Sequence, residues 1–305
     1  MGASPSSLEG HRVINCSTRS SISPFFIGND RAMVSLGPLS SESHCSYHCA
    51  FCYVQKGFNS YAKLSVDQIV NFLKPRKSEF SIIYVSGDTD SFAPPRTEEG
   101  LALLEALSES FDCDLMFTTR TVFNEKDLKS LKETQETVLE NGHFLFGCES
   151  ITRLRSVPQI EPKPIPSPEA RIEMLRAFWR LGLISVLTMR PFLPVVPVEE
   201  YREIINICRP FVDIVLGEVL YMDPEGVVER RLFPNGAPEN LRLALHKMDF
   251  DDNGIEWKVW EAKRVEREVR DYCNAQEIPF FMRSRPAVEY IRKKGLAYIR
   301  QRSAS

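Results

Sequence analysis

Residues 80–119 read FSIIYVSGDTDSFAPPRTEEGLALLEALSESFDCDLMFTT, and the order of elements within them sets the fold. FSIIYVSG is a short apolar run rich in β-branched residues, the pattern of a strand buried on both faces. TEEGLALLEALSESF has helical amphipathic spacing, and CDLMFTT is a second buried strand. A strand, a helix and another apolar strand make the crossover that joins parallel strands.

Outward from this stretch the unit repeats. RAMVSLGP (31–38) is a strand, and LSVDQIVNFLK (64–74) a helix that Ser65 caps, with Val66, Ile69, Val70, Phe72 and Leu73 on one face. NEKDLKSLKETQETVLE (124–140) is a helix with Asn124 as N-cap, and HFLFGCES (143–150) a strand. SPEARIEMLRAFWRLG (167–182) is a helix capped by Ser167, with Pro168 in its first turn and Gly182 at its end. ISVLTMRPFLP (184–194), VEEYREIINICR (198–209) and VDIVLGEV (212–219) complete six strands and their helices. This predicts an α/β fold around a parallel sheet over 32–219, with an N-terminal extension (1–31) and a C-terminal α/β extension (220–305) shaping the substrate side. Within the latter, YMDPEGVVERRLFPNGAPEN (221–240) reads as loops, WEAKRVEREVRDYCNAQ (260–276) as a helix and PFFMRS (279–284) as a short strand.

With 305 residues, 43% hydrophobic and 26% charged, the chain is neither disordered nor fibrous. No stretch approaches the ~18 consecutive apolar residues that span a bilayer, so no membrane role is expected. MGASPSSLEGHRVINC lacks the apolar core of a signal peptide, although Gly2 and Ser6 fit the short myristoylation pattern. The net charge of −3 divides into +6 over residues 281–305 and −9 elsewhere. The basic end reads as a solvated terminus, or as a contact for a phosphate-bearing substrate. The acidic body disfavours duplex DNA as a partner.

Eight cysteines remain, and HCSYHCAFCYV (44–54) spaces Cys45, Cys49 and Cys52 as C-x3-C-x2-C just after the first strand. A chain this long needs no disulfide framework, so a reducing, cytoplasmic setting and metal binding are expected. Three thiolates on so short a loop can wrap one face of an iron–sulfur cube and leave one iron open. A zinc site usually shows two separated ligand pairs, and His44 and His48 lie too close in sequence to complete a tetrahedron.

This spacing, with Phe51 before the last cysteine and Tyr53 after it, resembles the radical S-adenosylmethionine (SAM) enzymes. The resemblance implies a partial (β/α)6 TIM-like barrel, in keeping with the six strands, and two cofactors, a [4Fe–4S] cluster and SAM. The cluster, fed by an external donor of flavodoxin or ferredoxin type, would cleave SAM reductively to a 5′-deoxyadenosyl radical that abstracts hydrogen from a substrate. It also implies that Ser86, Gly87, Asp88, Thr89 and Asp90 receive the SAM amino group, although SGDTD departs from the family's usual Gly-Gly-Glu-Pro and could be a tight turn capping the next helix. Glu149 and Ser150 would meet the SAM ribose. Arg120 and Arg190, with Arg153 and Arg155 nearby, offer guanidinium groups for the SAM carboxylate or a substrate anion. Gly217 and Glu218 would border the adenine. Alternation points Cys148 away from Glu149. Cys148 is the candidate hydrogen-atom donor, with Cys113 as a weaker one and a buried structural thiol as the plain reading.

A longer similarity, through GDTDSFAPP (87–95), TTRTVFNEKDLKSL (118–131), IEPKPIPSPEARIEMLRAFWRLG (160–182) and MRPFLP (189–194), is to the spore photoproduct lyase-like branch. The expected activity is hydrogen abstraction from a small molecule, nucleotide or peptide. The alternatives are a lyase repairing DNA photoproducts, and a non-catalytic iron–sulfur or zinc regulatory protein.

Overall fold

The computed structural model describes residues 12–13, 26–28, 30–37, 39, 45–54, 63–87, 89–223, 225–238, 241–247 and 256–302. Gly2, Ser6, Cys16, His44 and Asp88 lie outside them. Two short antiparallel strands, β1 (Arg12–Val13) and β2 (Phe26–Gly28), lead into six parallel strands. These are β3 (Arg31–Val34), β4 (Ile82–Val85), β5 (Asp114–Thr119), β6 (Leu145–Ser150), β7 (Ile184–Met189) and β8 (Ile214–Gly217). They lie side by side in chain order in one open sheet, and β12 (Phe280–Phe281) adds a further parallel strand beyond β8. The helices between them are α1 (Val66–Leu73), α2 (Thr97–Ser110), α3 (Glu125–Glu140), α4 (Pro168–Arg180) and α5 (Val198–Cys208). The sequence signals act as read. Ser65 and Asn124 form capping boxes, Ser167 caps α4, and Gly182 takes φ +84° where α4 ends.

The two faces of the sheet bury different layers. Ile83, Val85, Leu115, Phe117, Leu145 and Leu187 face α1–α5 in the main core. Their alternates Ile82, Tyr84, Met116, Phe146, Cys148 and Val186 face the opposite, inner side. Strands buried on both faces are why the sequence shows continuous apolar runs.

Residues 221–240 are not all loop. β9 (Leu220–Met222) pairs with β11 (Glu256–Trp260), which also pairs with β10 (Ala244–Lys247), in a separate antiparallel sheet. A short helix, α6 (Val227–Leu232), starts where the buried Asp223 carboxylate accepts from the Val227 and Val228 amides at 2.9 and 2.7 Å. The Pro and Gly content hid one strand and one turn of helix stabilised by that single aspartate.

The basic C-terminal end docks on the sheet through Arg292 and its apolar residues, while Arg283, Arg285, Lys293 and Lys294 stay exposed to solvent as expected. After α7 (Lys263–Ala275) and β12, α8 (Ser284–Lys294) and α9 (Ala297–Arg302) cover the inner face at the amino ends of the strands. Arg292 donates to Asp114 at 2.6 Å and to the Ser81 carbonyl at 2.8 Å. Arg31 reaches Ser284, and Tyr298 reaches Asp213. Ala287, Val288 and Ile291 fill the space between. The cysteine loop leaves the opposite, carboxyl ends. Among the described residues no helix is long and apolar enough to cross a membrane.

Ile291→Ala is expected to cost about 2–5 kcal/mol, because it leaves a void where a fully buried side chain stood. A urea-unfolding midpoint within error of wild type would show that α8 is not part of the core.

Candidate functional site

Cys45, Cys49 and Cys52 sit in a tight loop pinned from outside. Cys52 N–H donates to the Cys49 carbonyl at 3.0 Å, and Ala50 N–H donates to the Ile160 carbonyl at 2.9 Å. The Tyr47 hydroxyl bonds Thr121 Oγ1 at 2.8 Å. Burial pushes Cys45 up to about 11, helped by the Asp90 charge, while the backbone N–H groups of Tyr47 and Asp90 oppose the rise. Burial and then the Cys49 and Cys45 charges push Cys52 up to about 12, and burial raises Cys49 against the pull of Arg120. The three thiols feel one another's charge. Among the described residues no three His, Cys, Asp or Glu side chains form a group for a metal ion, and His48 is exposed. The seven cysteines among the described residues are all free.

The described residues of SGDTD, Ser86, Gly87, Thr89 and Asp90, follow β4 and do not cap α2, whose N-cap is Arg96. Ser86 takes φ +69° and accepts from Ser91 N–H at 2.9 Å. A Cβ at Gly87 would meet Met33 Cε, the tip of a flexible side chain, at 2.4 Å. Thr89 is buried. The Asp90 carboxylate accepts from the Phe92 and Arg120 amides at 3.0 and 2.8 Å and from the Thr119 hydroxyl at 3.1 Å.

At the end of β6 the alternation holds. Cys148 faces the inner layer, fully buried, where burial pushes its thiol up to about 12. Glu149 points the other way, is 0% exposed, and neither of its carboxyl oxygens has a hydrogen-bond partner. The buried Ser150 hydroxyl is likewise unpartnered. Burial raises Glu149 well above its ordinary 4.5, with the Arg171 charge opposing. Two buried acceptors and a hydroxyl left open at a strand's carboxyl end form a cradle for a polar ligand.

The arginines divide. Arg120 lies over the Phe51 ring, 5.2 Å from its centroid, and 3.5 Å from Glu161, on the cysteine side. Arg190 turns to the inner face, donating to the Tyr84 hydroxyl at 3.3 Å and standing 4.0 Å from Glu218. Arg153 meets Glu161 at 3.2 Å, whereas Arg155 is tied to Glu203 at the surface, away from the site. A Cβ at Gly217 would strike Phe192 and Met282 at 2.6 and 2.8 Å, so that position serves packing. Cys113 starts β5, at the far end of the sheet from the cysteine loop.

Sequence reasoning missed Glu161. Its fully buried carboxylate takes two hydrogen bonds from Arg171, at 2.6 and 3.0 Å, and faces Arg153 and Arg120. These cations hold it below the ordinary carboxylate range despite its burial. The one available signal was its place in IEPKPIPSPEAR, ten residues before the arginine it binds.

Glu161→Gln should cost about 3–5 kcal/mol in urea unfolding, since it leaves buried guanidiniums without their counter-charge. A loss below about 1 kcal/mol would remove Glu161 from this role. Glu149 holds its proton more tightly folded than unfolded, so in the protein without cofactors its contribution is full below 4.5 and is lost as pH rises toward its folded value. Glu149→Gln is expected to stabilise that protein at neutral pH and to flatten its stability profile above pH 4.5. Parallel profiles for the two proteins would contradict this.

Comparison with known proteins bears on the whole arrangement. Residues 42–208 match the Radical SAM superfamily model, which spans the loop, the turn, Glu149 and both arginines without singling out a branch. An uncharacterized protein, ORF301 of Acidianus two-tailed virus, is 26% identical over 244 residues, 74% of this chain and 72% of its own. The fold resembles the radical SAM methyltransferase TsrM of Kitasatospora setae with tryptophan and a SAM analogue bound, at 10% identity and TM-score 0.51 over 80% of this chain. The same enzyme with cobalamin and a [4Fe–4S] cluster aligns at 9% identity and TM-score 0.52 over 79%. This chain spans 52% of that methyltransferase's length, and at such identity the likeness is one of fold. With a family match over more than half of its residues, the chain belongs to the radical SAM superfamily, whose cofactors are SAM and a [4Fe–4S] cluster.

Proposed function

We propose that Cys45, Cys49 and Cys52 hold three irons of the cluster and that SAM lies across the carboxyl ends of β4–β6. The cradle left by the unpartnered carboxyl of Glu149 and the Ser150 hydroxyl carries this reading, because those groups suit the paired hydroxyls of a ribose. The turn from Ser86 to Asp90 would receive the amino group, and Arg120, over Phe51, the carboxylate. When bound, the cofactors supply one-electron cleavage of the sulfonium and a carbon radical that abstracts hydrogen.

The remaining roles belong to the chain itself. Backbone N–H groups aimed at Cys45 favour its thiolate. Tyr53, next to the last cysteine, is held edge-on by Tyr221 of β9 and Trp257 of β11, at 5.9 and 5.6 Å between ring centroids. β9 and β11 thus pack against the cysteine loop, and the region they belong to would shape the substrate side. Cys148, on the inner face, is in position to return a hydrogen atom to a substrate radical. We assign the chain a tailoring role on a small molecule, nucleotide or peptide, in a reducing, cytoplasmic setting, with a flavodoxin- or ferredoxin-type donor.

Anaerobic reconstitution with iron and sulfide is expected to give a brown protein that, once reduced, forms 5′-deoxyadenosine from SAM. Each of Cys45→Ala, Cys49→Ala and Cys52→Ala should lose both colour and product. A colourless protein holding one equivalent of zinc would sink the reading.

A further inference from the structure

On the inner face, the carboxyl ends of five parallel strands bring together Tyr84, Thr118, Cys148, Arg190 and Glu218. Tyr84 and Thr118 share a hydrogen bond of 2.6 Å, and Arg190 Nη1 donates to the same tyrosine at 3.3 Å. Thr118 also bonds the Cys148 sulfur. Below this polar tier the face is closed, because Met116, Phe146, Val186 and Leu216 pack with Val288 and Ile291 of α8. A molecule entering from the cysteine side therefore meets the tier as its floor.

Arg190 is the under-satisfied member of the tier. Its Nε is buried without a hydrogen-bond partner, and its nearest carboxylate, Glu218, stands at 4.0 Å, beyond hydrogen-bond distance. A guanidinium offers five donors in a planar fork matched to oxyanions, and burying it poorly paired is costly. Arg120, whose Nε likewise has no hydrogen-bond partner, is differently placed: it faces Glu161 at 3.5 Å, is stacked on Phe51, and is bonded through its Nη2 to the Arg190 carbonyl at 3.1 Å. Two adjacent guanidiniums so serve two sides of one site.

Taking the site as a radical SAM centre, we propose that Arg190 anchors the substrate. The substrate is then a small molecule with a carboxylate or phosphate group, while the SAM carboxylate falls to Arg120. This moves the anion contact from the basic C-terminal end, which lies at the opposite ends of the strands. It also places the bound substrate on the Cys148 face of the sheet. Glu218 tempers the site by competing for Arg190.

The test uses reconstituted protein with SAM, titrated with sodium phosphate or sodium acetate at constant ionic strength and followed by calorimetry. The two probes separate a tetrahedral from a planar oxyanion. Arg190→Gln is expected to weaken binding of the preferred probe by about tenfold, a loss of 1.4 kcal/mol, with Arg190→Lys in between. Glu218→Gln is expected to tighten it several-fold, a gain that a folding defect cannot imitate. SAM affinity, read from the SAM-induced change in the electron paramagnetic resonance spectrum of the reduced cluster, should stay within about twofold in these variants. Tenfold loss of SAM affinity in Arg190→Gln with anion binding unchanged would assign Arg190 to SAM and overturn the proposal. So would the absence of anion binding in both wild type and Glu218→Gln. Failure of the radical SAM reading itself shows separately, as a wild-type spectrum that SAM does not alter.

Discussion

A carboxylate with no exposed surface, Glu161, sits among Arg171, Arg153 and Arg120, and the geometry of the site hangs on that knot. Isolated, any of these charges would be very unfavourable in the interior. Together they fix the start of α4 against the end of β6, where Arg171 also donates to the Ser150 carbonyl at 2.5 Å. They hold Arg120 over Phe51, between the cysteines that flank it. The residue before the knot, Ile160, accepts from Ala50 within the cysteine loop. A loop with few hydrogen bonds of its own takes its shape from charges buried behind it.

The second organising fact is the twofold period of a strand. At β6 it places Glu149 between sheet and helices and Cys148 on the inner face, one residue apart. Side chains on the two faces are thereby separated without any intervening element. The neighbouring arginines repeat the division at the ends of β5 and β7.

Much of this was legible in the sequence. The six parallel strands are continuous apolar runs because both faces are buried, and Ser65, Asn124 and Ser167 mark helix starts by short-range hydrogen bonds. The cysteine spacing is local as well. What stayed hidden depends on distant partners. Arg292 looks like a solvated charge until Asp114, 178 residues earlier, is seen beneath it. Arg120 and Arg190 look alike in TTRT and TMRP, and only Phe51, Glu161 and Tyr84 tell them apart. β9–β11 are short and charged, and their pairing spans residues that no periodicity connects. Glu161 has no pattern at all, because three of its arginine neighbours arrive from three different segments.

The position of α8 also governs how the molecule comes into being. Its contacts reach back 253 residues to Arg31 and 211 to Ser81, so the inner face of the sheet stays uncovered until α8 itself has left the ribosome. Contacts of such high sequence separation slow folding, and apolar strands left waiting invite association between chains. The polar tier above them takes its floor only at that final step. Chains interrupted before α8 would present a sticky sheet face.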